Sequence, residues 1–220
     1  SGSPTRLILT YSVPLLIGNI FQQLYSMADT IIVGKCIGVE ALAAVGATGG
    51  LSFLIIGFLI GLTSGFAVIA AQKFGAKDIE GLRQSVGTSI ILCTVTTIVL
   101  TALSLLTSEP LLRLMNTPDD IMVDALKYIN VIFIGTVCTV FYNMIACILR
   151  ALGDSKTPLY FLIVSSVLNI VLDLVFILTF HMGVAGAAWA TVISQGVAGG
   201  LCLFYTLKKY SILRLTKKDF

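Results

Sequence analysis

Charge is what this sequence has least of. Of its 220 residues only 11% are Asp, Glu, Lys or Arg, 57% are hydrophobic, and the mean hydropathy is +1.00. A soluble domain carries roughly 25% charged residues, so the deficit excludes an ordinary water-soluble fold. Histidine occurs once, at His181. A zinc site needs companions at ligand spacing and a Ser/His/Asp triad needs an orienting partner, so His181 reads as an interfacial side chain. The five cysteines, Cys36, Cys93, Cys138, Cys147 and Cys202, are odd in number and show no C-x-x-C spacing. They read as small packing residues rather than disulfides or metal ligands. A nucleotide-binding G-x-x-x-x-G-K-[ST] loop is absent, so no nucleotide or other cofactor is expected.

What the chain does have is long apolar runs. Stretches free of charge cover Leu7 to Ala28, Ala41 to Gln72, Gln84 to Ser108, Tyr128 to Leu149, Thr157 to Leu172 and Leu174 to Leu207. A helix needs about 20 apolar residues to span a bilayer. The sequence therefore predicts an all-α membrane protein, a bundle of six transmembrane helices over residues 7–33, 41–71, 85–107, 121–149, 159–180 and 184–207. The first run is too long for a secretory signal, lacks a basic leader beyond Arg6 and is followed by five more spans, so it reads as a retained helix.

Basic residues are retained on the cytoplasmic side. With the N-terminus inside, eleven fall inside (Arg6, Lys73, Lys77, Arg83, Arg150, Lys156, Lys208, Lys209, Arg214, Lys217 and Lys218), and three, Lys35, Arg113 and Lys127, fall outside. Both termini are expected in the cytoplasm, with residues 208–220 forming a basic tail or connection. The net charge of +3 then describes membrane topology and gives no reason to expect a nucleic-acid partner.

Two acids stand inside the apolar runs. Asp29 follows Pro14 by 15 positions, and Gly38 and Val39 begin nine later; Asp173 follows Pro158 by the same 15, and Gly183 and Val184 begin ten later. Such internal repetition is common in transporters, and it places the two acids at similar depth in helices running in the same direction. A carboxylate near the bilayer centre costs about 2.5 to 3.5 kcal/mol on insertion scales, so intramembrane acids face the bundle interior and are paired, protonated or functional. Such a pair can carry a proton. Ser166, Asn169 and Asp173 share a helix face, as do Asn19, Gln22 or Gln23, Ser26 and Asp29, and Thr191, Ser194 and Gln195 form a third stripe. The isolated Ser, Thr and Gln residues read as interhelical hydrogen-bond glue, and the two aspartates read as functional. Pro14 removes an intrahelical hydrogen bond and is expected to kink its helix. The glycines of the second run, from Gly46 to Gly65, read mainly as close-packing positions.

The segments PLLIGNIFQQLYSMADTIIVGKCIGVEALAAVGATG, ILRALGDSKTPLYFLIVSSVLNIVLDLVF and GVAGAAWATVISQG resemble, in order and over nearly the whole chain, the multidrug and toxic compound extrusion (MATE) transporters. The resemblance implies the N-terminal six-helix lobe of a twelve-helix transporter in the bacterial plasma (inner) membrane, a cation-coupled antiporter that exports small organic cations. It implies a coupling proton or sodium ion bound by Asp29, Asn169, Asp173 and Thr191, with Tyr128 in the same pocket. Asn143 is implied to line the central cavity, and Pro14 resembles the proline at which the family's first helix bends. The chain departs from the family by ending after six helices, so the expected partners are membrane lipid and a second lobe, whether a missing half or another chain. A flippase for a lipid-linked saccharide, or an isolated lobe without transport, stands as the alternative. An intramembrane aspartyl protease does not fit, because the Y-D and G-x-G-D motifs are absent around both acids, and no enzyme activity is expected.

Overall fold

A computed structural model of the protein describes residues 4–213, apart from the side chains of residues 4–11, 15 and 211. The tail residues Arg214, Lys217 and Lys218 and the opening Ser1 to Ser3 lie outside the described residues. The chain forms six long helices: α1 (Pro4–Cys36), α2 (Val39–Gly75), α3 (Ile79–Leu114), α4 (Asp119–Ala151), α5 (Lys156–Leu174, continued by a π-helical turn at Val175–Thr179) and α6 (Gly183–Lys209). A single 3-10 turn, Ser211–Leu213, follows α6. It is an all-α membrane protein with the six-helix architecture expected from the apolar runs.

The helices run beyond those runs because hydropathy marks only the hydrocarbon-facing part of each. The third was expected to stop near Thr107, yet α3 continues through Pro110 to Leu114. There the Glu109–Arg113 pair (2.9 Å) braces its last turn, and Leu112 is fully buried beside Ile121, Met122 and Ala125 of α4. Among the described residues α2, α3, α4, α5 and α6 are each apolar and long enough to cross a membrane. Helix α1, 33 residues long, carries Asn19, Gln22, Gln23, Ser26 and Asp29 along its length. That polarity needs a protein or water-lined surrounding at membrane depth.

Helix α4 is the centre of the bundle, packed between α2 and α6 and against α3, with more than half of its most apolar stretch buried. Its contact with α6 is close because glycine occupies the crossing. A Cβ at Gly135 would overlap the Val192 side chain, and one at Gly199 would come within 2.9 Å of the Phe141 ring. Helix α1 packs chiefly on α5, which in turn packs on α6. The two glycines of the internal repeat do the same work: Gly38 (φ +135°) and Gly183 (φ +59°) hold positive-φ turns where α2 and α6 begin, a conformation that other residues adopt only with strain.

The two ends of the bundle differ in charge. Among the described residues where α2, α4 and α6 finish, Lys73, Lys77, Arg83, Arg150, Lys156, Lys208 and Lys209 stand with three acids, Asp78, Glu80 and Asp154. Asp78 caps α3 by accepting from the Gly81 N–H (2.9 Å) and pairs with Lys73 (2.9 Å), and these bonds hold its carboxyl below the usual carboxylate range. Asp154, in the α4–α5 turn, accepts from Lys209 (2.8 Å), the Tyr210 hydroxyl (2.9 Å) and both the N–H (3.0 Å) and hydroxyl (2.8 Å) of Thr157. Burial opposes its ionisation, but these four donors outweigh burial and hold Asp154 far below the ordinary range. The chain beyond α6 is thereby tied across this end, with Leu213 buried among Ala70, Leu82, Val86 and Ile148.

Candidate functional site

The packing of α1 on α5 brings Asp29 and Asp173 together: their carboxyl groups meet side chain to side chain. Asp173 and Asn169 are fully buried and Asp29 is 8% exposed. One turn of α5 separates Asn169 from Asp173, so both point to the same interhelical seam. With its Nδ2 toward the acid, Asn169 donates to Asp173 Oδ2 at 3.0 Å, while its Oδ1 accepts from the Thr191 hydroxyl (3.3 Å) and the Thr191 N–H (3.1 Å). The opposite amide orientation keeps one bond to Thr191 Oγ1 (3.3 Å) but turns the amide oxygen toward a carboxylate, so the first satisfies the inventory of donors and acceptors.

Tyr25, one turn before Asp29 on α1, donates from its hydroxyl to Thr191 Oγ1 at 3.3 Å, and Gln195 adjoins the same hydroxyl. A directed chain results: Tyr25 donates to Thr191, Thr191 to Asn169, and Asn169 to Asp173, which lies against Asp29. Tyr128 on α4 lies close enough to Asp29, Asp173 and Tyr25 for their charges to act on its hydroxyl. The five residues singled out in the sequence for a coupling ion thus form one cluster. Tyr25 and Gln195 belong to it as well, and sequence reading missed both as members. The i, i+4 spacing puts Tyr25 on the face of Asp29, but gives no sign of the partner its hydroxyl meets on α6.

The cluster is incomplete in hydrogen bonding. Asp29 Oδ1 and Asp173 Oδ1 are buried with no hydrogen-bond partner. Two carboxyl groups in contact need a proton or a cation between them, since like charges at this distance repel strongly in a low-dielectric interior. The oxygen donor set of Asp29, Asp173, Asn169 and Thr191 is hard and fits either species. Immediately past Asp173 the α5 backbone widens into the π-helical turn, where Phe176 packs closely on Gly186, its Cβ 3.1 Å from where a Cβ at Gly186 would stand. Such turns are frequent at functional sites.

Beside the cluster opens a cavity of about 550 Å³, bounded by α1, α2, α4, α5 and α6. Pro14, Asn19, Gln22, Gln23 and Ser26 of α1, Thr139 and Asn143 of α4, and Thr191 and Gln195 of α6 line it, with Tyr25, Phe53, Tyr128 and Tyr142 as its aromatic walls. Asn19, Gln22, Gln23 and Ser26 are exposed there, so this stripe surfaces a cavity and is not the interhelical glue expected for isolated polar groups. Thr191 and Gln195, by contrast, do link helices. Asn143 donates back to the Thr139 carbonyl (2.8 Å) from the cavity wall, and Pro14 lies within an uninterrupted α1. Neither aspartate lines the cavity; both sit behind Tyr25, Tyr128 and Thr191. Arg150 is the single charged residue on the wall among the described residues.

The MatE family model matches residues 14–175. The probable multidrug resistance protein YpnP of Bacillus subtilis is 36% identical over 220 residues, 98% of this chain and 49% of the relative. Crystal structures of MATE in a bent and in a straight conformation superpose with TM-scores of 0.90 and 0.90 at 35% and 34% identity, each covering 100% of this chain and 49% of the solved one. The chain spans about half the length of the relatives it matches.

Proposed function

The chain belongs to the MATE family of multidrug transporters, and from that premise we propose that it forms the N-terminal lobe of a cation-coupled antiporter in a bacterial plasma membrane, exporting organic cations by alternating access. The observation that carries this reading is the contact of two buried carboxyl groups that each keep an unpartnered oxygen. A proton or sodium ion arriving from outside fills that deficit. Its binding stabilises the conformation in which Asp29 and Asp173 are held together, and with it the seating of α1 on α5. Ion release inward leaves the two carboxylates repelling each other and favours the alternative arrangement. The ion shifts the balance only by its differential affinity for the two states.

Helix α1 is the natural moving part. It rests mainly on α5, and Pro14, on the cavity wall, withholds one backbone N–H from an otherwise continuous helix. The donor chain from Tyr25 makes the cavity wall and the ion cluster one unit, because Thr191 and Tyr25 belong to both. The cation-binding character of the cavity comes from the aromatic faces of Tyr25, Phe53, Tyr128 and Tyr142 rather than from direct contact with the acids. The other half of the cavity belongs to a second lobe, supplied by more of the same protein or by another chain, with both termini of this lobe in the cytoplasm.

The test uses the 220-residue chain in proteoliposomes, following a fluorescent organic cation under an imposed proton or sodium gradient, with Asp173→Asn as control. Gradient-driven uptake abolished by the substitution supports the coupling role. If neither protein transports, the same measurement moves to a chain carrying both lobes, and full activity of Asp29→Asn and Asp173→Asn there would refute the mechanism.

A further inference from the structure

A second cavity of about 400 Å³ lies between α2 and α4 near the basic end of the bundle, lined by Ser64, Ala67, Val68, Ala71, Cys147 and Ala151, with Arg150 at its rim. Arg150 stands in the last turn of α4, at the depth where an apolar span meets headgroups. It has no carboxylate partner among the described residues. The nearest acid along the chain, Asp154, is already held by Lys209, Tyr210 and Thr157. A guanidinium is a rigid fork of donors suited to a phosphate oxyanion, and here it borders a slot whose walls are small and mostly apolar. The end on which it stands is basic, seven cations to three acids among the described residues, which draws anionic lipid.

We propose that Arg150 and the α2–α4 slot form a binding site for an anionic phospholipid, the guanidinium holding the headgroup phosphate and an acyl chain lying along Ala67, Val68, Ala71 and Ala151. Charge complementarity, depth and an amphipathic lining all select this occupant. The site also borders the larger cavity, because Arg150 lines both, so lipid seated there screens the single charge on the cavity wall.

The experiment measures thermal unfolding of the purified chain in neutral detergent with added phosphatidylglycerol, phosphatidylcholine or inorganic phosphate. Phosphatidylglycerol is expected to raise the midpoint by about 3 °C, with little effect of the other two. Arg150→Gln weakens phosphatidylglycerol binding about tenfold; Ala67→Leu, which fills the slot and keeps the charge, weakens it as well; and Lys156→Gln, at the same end but outside the slot, leaves it intact. Equal shifts with phosphatidylcholine would overturn the proposal, as would an equal loss in Lys156→Gln, which signals diffuse attraction. An equal response to inorganic phosphate would overturn the lipid assignment. A midpoint that rises with protein concentration instead of lipid would assign the slot to a second copy of the chain and overturn it too.

Discussion

Asp154 and the Asp29–Asp173 pair are acids in the same small protein treated in opposite ways. Asp154 is 11% exposed on its side chain and accepts four hydrogen bonds, one from a lysine. Asp29 and Asp173 are at least as buried, face each other, and each keeps one oxygen without a donor. A buried polar group left unsatisfied costs about 1 to 3 kcal/mol, more when charged. A site that carries this deficit is suited to receive a ligand, and a site that has none is suited to hold a fold together. The first acid is a fastener, and the second pair is what we propose as a receptor for a small cation.

The largest expected effect separates the two directly. In the complete transporter Asp173→Asn lowers gradient-driven uptake about tenfold or more, while in the purified chain it leaves the thermal midpoint unchanged or higher, because an amide beside Asp29 can donate where a second carboxylate could not. Asp154→Ala does the reverse. It removes four acceptor contacts and strands Lys209, destabilising the chain by about 2 to 3 kcal/mol with ion binding to the dyad preserved, as judged by midpoint and by ion-dependent tyrosine fluorescence. A loss of both properties in either variant would erase the distinction.

Gly135→Val tests whether the receptor depends on close helix packing. The added side chain overlaps Val192, next to Thr191, so it should destabilise by about 1 to 3 kcal/mol and weaken ion binding through displacement of Thr191. Acid titration sharpens the fastener. Because the folded pKa of Asp154 is depressed, its stabilisation is complete above the unfolded value of about 4 and is lost as pH falls through the lower folded value. The difference in midpoint between the natural chain and Asp154→Asn should therefore be constant at neutral pH and shrink below about pH 4. The smallest effect belongs to Tyr25→Phe, which deletes one 3.3 Å hydrogen bond. About 0.5 to 1.5 kcal/mol is expected in stability, with slower ion exchange at the cluster in stopped-flow fluorescence.

Much of the receptor was legible before any coordinates. Asn169 and Asp173 share a face by helical arithmetic, and an acid in a charge-free run is conspicuous because lipid cannot solvate it. Tyr25 was hidden by its chemistry: tyrosine is common at membrane depth, and only the position of Thr191 across the seam gives its hydroxyl a partner. The polar stripe Asn19, Gln22, Gln23 and Ser26 was visible, but whether it met a helix or a cavity depended on how α1 leans, which neighbouring residues in the chain do not encode. The basic end was likewise visible in the sequence. That Asp154 is occupied by Lys209 while Arg150, four residues earlier, has no carboxylate partner among the described residues was not.

The sequence by itself determined that this chain lives in a membrane as six helices, because apolar length and the cost of burying backbone polar groups in lipid permit little else. It also determined that two acids lie at matching depths, through the spacing repeated from Pro14 to Asp29 and from Pro158 to Asp173. Only the tertiary structure decided that those acids touch, that Thr191 and Tyr25 close the chain of donors, and that the acids stand behind a cavity wall on which Arg150 is the one charge among the described residues. Depth is a one-dimensional property that residue order fixes, whereas rotation and contact between helices arise from side chains far apart in the chain, such as Gly135 against Val192.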